Sequence, residues 1–149
     1  MRQIMYNLQF RGTAVRSSAE NAVLKATTSA ASCVMRSVVT PDGIEGSIAP
    51  AEGGLAFFES EVRILSSESF TESGTIGFGD GDHTLRFSTV GQGYLGPSAD
   101  PQHMAGAVTW KVDGGEGQFE GATGLITSNF VLSEHGDVVD HQFGVIFVK

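Results

Sequence analysis

The chain has a single cysteine, Cys33, so it holds no internal disulfide. It is poor in positive charge: nine Lys and Arg stand against seventeen Asp and Glu, a net charge of −8. Affinity for nucleic acid comes mostly from Lys and Arg on phosphates. The nine basic residues are scattered and form no stripe, which excludes that partner. No apolar run approaches the roughly 18 residues of a membrane span. The first residues, Met-Arg-Gln-Ile-Met-Tyr-Asn, carry no apolar core of a leader. A reducing, cytoplasmic compartment is the expectation, with no membrane partner. Helical periodicity is scarce too. Only Ser17 to Thr28 suits a short helix, with Ser18 as cap and Ala19, Ala22, Val23 and Ala26 at helical spacing. With one helical stretch at most, a parallel sheet built on helical crossovers is excluded.

What is abundant is glycine and phenylalanine, twenty and ten residues of 149. Glycine suits tight turns, and Phe with Val and Ile suits pleated surfaces. The length predicts one domain, residues 1–149, large enough for a real core. Alternation marks the strands. In Ile4 to Val15, Tyr6, Leu8, Phe10, Gly12 and Ala14 share a face. Ala30 to Val39 reads as a strand, Pro41-Asp42-Gly43 as a turn, and Ile44 to Ala49 as a short return. Pro50 to Gly54 is expected to turn again. In Leu55 to Ser66, Phe58, Ser60, Val62 and Ile64 oppose Phe57, Glu59, Glu61, Arg63 and Leu65. Phe70 to Phe78 and Thr84 to Val90 form a hairpin around Gly79-Asp80-Gly81-Asp82. Gln92 to Gln102 reads as a loop. In Met104 to Val112, Gly106, Val108, Trp110 and Val112 share a face. Gly114 to Leu132 is the densest glycine stretch, a corner plugged by Phe119 that enters a strand, and Gly121→Val there is expected to unfold the protein. In the last strand Val139, His141, Phe143, Val145 and Phe147 form the apolar face.

Eight or nine strands at hairpin spacing leave an antiparallel barrel or a sandwich. The barrel is favoured, because closure removes edges and both terminal segments read as strands able to pair with each other.

Chemistry is less legible. Gly115 to Gly121 has a spacing near a dinucleotide fingerprint, but a strand follows it where a helix is required. Asp80-Gly81-Asp82 lacks the further oxygen ligands of a calcium loop. The four histidines complete no metal set, so neither a metal nor a cofactor is expected. His141, on the apolar face, is expected to point inward, as a core histidine or a general acid or base. Glu61 shares a face with Phe57, Leu65 and Arg63. Inward, burial would raise its pKa unless Arg63 compensates; outward, the set is a solvated stripe. Glu45 is poised between solvent and a cavity wall, and Trp110 between core and cavity wall.

Asp42-Gly43-Ile44-Glu45-Gly46-Ser47, the strand with Phe57, Phe58 and Glu61, and the Gly117-Gln118-Phe119-Glu120-Gly121-Ala122-Thr123-Gly124 corner together resemble the allene-oxide-cyclase-like barrel superfamily. In particular they look like its small uncharacterised bacterial members. The likeness in layout spans residues 30–149. It implies a closed eight-stranded antiparallel barrel with a central cavity, often oligomeric, and cofactor-free cyclisation or isomerisation of hydrophobic substrates. On that reading Glu61 and His141 handle protons, with Glu45 and Arg86 as lesser candidates. Trp110, Phe58, Tyr94, Asn129 and Phe143 contact a small hydrophobic ligand. A non-catalytic, lipocalin-like carrier and a structural oligomerising barrel are the alternatives. A homo-oligomer, dimer or trimer, is expected.

Overall fold

The computed structural model describes residues 1–17 and 22–149. Nine strands follow one another: β1 (Arg2–Arg16), β2 (Val23–Thr40), β3 (Gly43–Ile64), β4 (Ser69–Phe78), β5 (His83–Thr89), β6 (Gly93–Pro97), β7 (His103–Glu116), β8 (Thr123–Ser133) and β9 (Asp137–Val148). Gly117–Phe119 forms a single 3-10 turn. Among the described residues no helix is long and apolar enough to cross a membrane.

All pairings are antiparallel, in the order β3-β2-β1-β9-β8-β7-β5-β4, and β4 pairs back onto β3. Eight strands thereby close a barrel-like ring. The seam is the pairing of β1 with β9, from Arg2↔Val148 to Thr13↔Asp137, so the terminal strands meet as expected. Where β5 ends, the short β6 takes its place between β4 and β7.

The Phe10 face of β1, the Phe58 face of β3 and the Trp110 face of β7 point inward, as does the Ile126 face of β8, which leaves Asn129 outside. Phe10, Phe58, Val108, Trp110 and Ile126 are buried there, with Phe70, Ile76, Leu85 and Phe87 from β4 and β5. The aromatic rings stack across the ring's waist. Phe87 and Trp110 lie 4.4 Å apart by centroid, Phe58 and Phe87 5.3 Å. Phe119 is buried and packs on Phe78 at 5.3 Å, plugging one end as the glycine-rich corner predicts.

Four expectations are corrected. First, Val23 to Thr28 is strand, not helix: Leu24, Ala26, Thr28 and Ala30 alternate inward, and pairing with β1 and β3 overrides weak helical spacing. The proposed cap Ser18 and Ala19 lie outside the described residues. Second, the chain does not turn at Pro50 to Gly54. β3 continues through it as one strand of 22 residues, with a bulge: Leu55 pairs with Ala31 and Pro50 with Cys33, so residues 51–54 lie opposite Ser32 alone. Third, the expected loop at 92–102 contains β6. Fourth, β9 faces the other way. Asp140 pairs with Phe10 and Phe130, and Gln142 with Leu8 and Ser128, all inward residues. Directly paired residues share a face, so Asp140, Gln142, Gly144 and Ile146 point in. His141, Phe143, Val145 and Phe147 point out.

Beyond Ser29, β2 leaves β1, and before Ala56, β3 is not paired with β4. From Cys33↔Pro50 to Thr40↔Gly43 these two segments pair only with each other. They form a hairpin arm that projects from the ring by about 25 Å at ~3.3 Å per residue.

Candidate functional site

An apolar cavity of about 70 Å³ opens at the end of the ring opposite Phe119. At ~10–15 Å³ per water it holds roughly five waters, or a compact organic group. Leu24, Val62, Ile64, Phe70, Phe130 and Leu132 form its walls, and Phe58 and Trp110 its floor. Four polar side chains enter it: Thr28 of β2, Glu72 of β4, Ser128 of β8 and Asp140 of β9. Each sits at an inward position of its strand and each is buried.

The two carboxyls are held differently. Ser60 Oγ donates to Glu72 Oε2 at 2.5 Å. Asp140 takes two bonds: Ser128 Oγ to Oδ1 at 2.5 Å and Gln142 Nε2 to Oδ2 at 2.9 Å. Tyr6 Oη donates to Gln142 Oε1 at 2.9 Å and so orients that amide. Burial pushes the Glu72 carboxyl up from 4.5 to about 8, and the Asp140 charge adds to the rise against the Ser60 and Trp110 contacts. Burial also raises Asp140, opposed by Ser128, Gln142 and His141. Burial and the Asp140 charge raise the Tyr6 hydroxyl, which stays neutral. Glu72 and Asp140 thus line one chamber in which burial raises both carboxyls.

Among the described residues, Trp110 Nε1 and Thr28 Oγ1 are buried without a hydrogen-bond partner. The indole lies near enough to Glu72 to lower its pKa, but not in hydrogen-bond geometry. Leaving a buried donor unmet costs about 1–3 kcal/mol. Two such donors stand in or beside the wall of one small cavity.

Of the residues singled out in the sequence, Phe58 and Trp110 reach this cavity. The others are on the outside. Glu61 pairs outward with Lys25 and Ser73, and is bridged to Arg63 at 3.1 Å with both side chains half exposed. The His141 ring, Nε2 to Nε2 at 2.9 Å from the Gln9 amide, is on the outer wall. Asn129, Phe143 and Arg86 are exposed on that wall too, Tyr94 is exposed on β6, and Glu45 lies on the arm. Glu72 and Asp140 went unread. The signal for Glu72 is present in Phe70-x-Glu72-x-Gly74-x-Ile76, one carboxylate in an otherwise apolar alternation. Among the described residues no three or more of His, Cys, Asp and Glu gather as a metal-ligand set.

Fold and site together define an all-β ring with an acid-floored apolar pocket. Comparison with protein-family models, with curated proteins and with solved structures finds no match for this chain.

Proposed function

We propose that the pocket takes a small, mainly apolar molecule carrying a neutral oxygen, and that Glu72 and Asp140 move a proton on it, making the protein a cofactor-free isomerase or cyclase. The observation that carries this reading is the pair of buried carboxyls, both raised by burial, that line one apolar pocket. Two titratable groups pushed apart in pKa by their surroundings are the arrangement that acid–base catalysis needs. The Asp140 carboxylate takes a proton from substrate carbon or hydroxyl, and Glu72 returns one elsewhere on the same molecule. The net change is a shifted double bond or a closed ring, with no atoms gained or lost. Trp110 Nε1–H and Thr28 Oγ–H donate to the substrate oxygen as charge develops on it. The chemistry agrees with what the resemblance to allene-oxide-cyclase-like barrels implies, with the acids on other strands.

The test is deuterium uptake. A panel of small apolar ketones and enones is incubated with the protein in D₂O and read by mass spectrometry. Exchange is expected at carbons beside the carbonyl. Loss of 10²-fold or more is expected in Glu72→Gln and Asp140→Asn, the usual reach of one general acid or base. Undiminished exchange in the double variant would refute the mechanism. A carrier without turnover is the second reading, favoured by the modest volume, which encloses only one end of a longer ligand. It predicts that Glu72→Gln binds as tightly as the parent and that neither protein exchanges deuterium.

A further inference from the structure

The arm is longer than anything the ring needs. All of residues 41–50 are exposed. Cross-strand pairing puts Met35 beside Ile48, and Val39 beside Ile44, on one face. Val39 is 80% and Ile44 71% exposed. An open groove of about 870 Å³, with Gln9 and Arg11 on its far wall, separates Met35 and Ile48 from the ring. The outer half of this apolar stripe, Val39 and Ile44, is thus open, while Met35 and Ile48, 37% and 40% exposed, face the groove. A two-stranded hairpin standing alone in water is marginal.

The arm's two edges differ. The β3 edge carries Pro50, with Gly46, Gly53 and Gly54 around it, and proline blunts an edge by removing a donor. The β2 edge over residues 34–40 has no proline and no described strand beside it. An open edge of this length is a template for another strand.

We propose that its occupant is the β2 arm of a second copy, paired antiparallel about a twofold axis at Ser37, giving a four-stranded sheet β3-β2-β2-β3 across the dimer. Three observations select this partner and register. A twofold axis needs a self-complementary patch. With Ser37 opposite the partner copy's Ser37, Met35 lies opposite Val39 in each direction, so the two apolar stripes join into one. On the reverse face Arg36 falls in the same row as Val38 of the other copy and, one strand further, as Glu45, which pairs with Val38. At ~4.8 Å per strand those side chains meet, twice by symmetry. Centring the axis one residue earlier would set Arg36 against Arg36, and one residue later would break the apolar rows' overlap. The complementary charges matter because each copy carries −8 and repels the other at long range.

Sedimentation of the full chain at tens of micromolar tests the assembly. A species of twice 15.7 kDa is expected. Val39→Arg, at a site too exposed to disturb folding, is expected to give monomer with unchanged circular dichroism and melting temperature. In a Cys33→Ser background, Ser37→Cys is expected to form an interchain disulfide with oxidised glutathione, since opposed residues bring their Cβ atoms within bridging range. Asp80→Cys, on the β4–β5 hairpin tip, is expected to stay monomeric on a non-reducing gel. A monomeric parent protein, a dimer that survives Val39→Arg, or a Ser37→Cys protein that crosslinks no better than Asp80→Cys would each overturn the proposal.

Discussion

Glu72 ties the chemistry of single residues to the stability of the whole. Its folded pKa, about 8, lies above its ordinary 4.5. Between those values the native state keeps a proton that the unfolded chain has released, so folding weakens as pH rises, by about 1.4 kcal/mol per unit for one proton. The penalty is absent below about 4.5 and complete above about 8. Burial acts on Asp140 in the same direction. Thermal melts from pH 5 to 9 should show the parent losing stability with pH. Glu72→Gln should flatten the curve and melt higher than the parent at pH 8.5, and an unchanged slope would mean that Glu72 is solvated. The glycine corner divides more finely than its sequence suggests. A Cβ on Gly121 would meet only the far end of Lys149 at 2.9 Å, so the strain of φ +68° dominates. Gly121→Ala should cost about 1–2 kcal/mol and leave the fold intact, which replaces the expectation that Gly121→Val unfolds the protein. A Cβ on Gly124 would run into Val145 O at 2.3 Å and Ile146 Cα at 2.8 Å, both backbone. Gly124→Ala should cost clearly more, since β8 must part from β9, and urea denaturation of the two variants orders them.

At the scale of elements, alternation separated the two faces of β1, β3 and β7, and in each the more apolar face is the inner one, while on β8 it left the choice open. It failed on β9. There the outer face carries Val139, Phe143, Val145 and Phe147, and the inner one Asp140, Gln142 and Gly144. Only the partners settle it: Asp140 must share a side with Phe10 and Phe130. The same mistake hid the pocket, since His141 and Asp140 exchange places when the strand is turned over. The floor was legible through Phe58 and Trp110, two bulky residues on the more apolar faces of their strands. Phe58 touches Phe10, Phe87 and Trp110 at ring-centroid distances of 5.9, 5.3 and 5.5 Å. Phe58→Ala should therefore cost about 3–5 kcal/mol, read as a lowered urea midpoint. β2 and β3 show the opposite limit. Nothing in the local pattern says that their outer halves leave the ring, because a strand with no third partner keeps the same alternation as one that has it.

For the whole molecule, closure follows from the two ends of the chain being strands that need each other. Arg2 pairs with Val148, so the termini are neighbours. A circular permutant joined there by a short glycine linker and opened between Asp80 and Gly81 should fold with a melting temperature within several degrees of the parent, by circular dichroism. Removing β9 should leave no cooperative transition. Joining first and last strands is also the longest loop closure the chain can make, and folding should take milliseconds to seconds rather than microseconds. The aromatic waist has a further consequence. Phe58, Phe87 and Trp110 fill the bore from wall to wall, and Phe119 seals what lies behind them. The chamber is a cul-de-sac. On the proposed function, substrate and product would share that single doorway and compete for it.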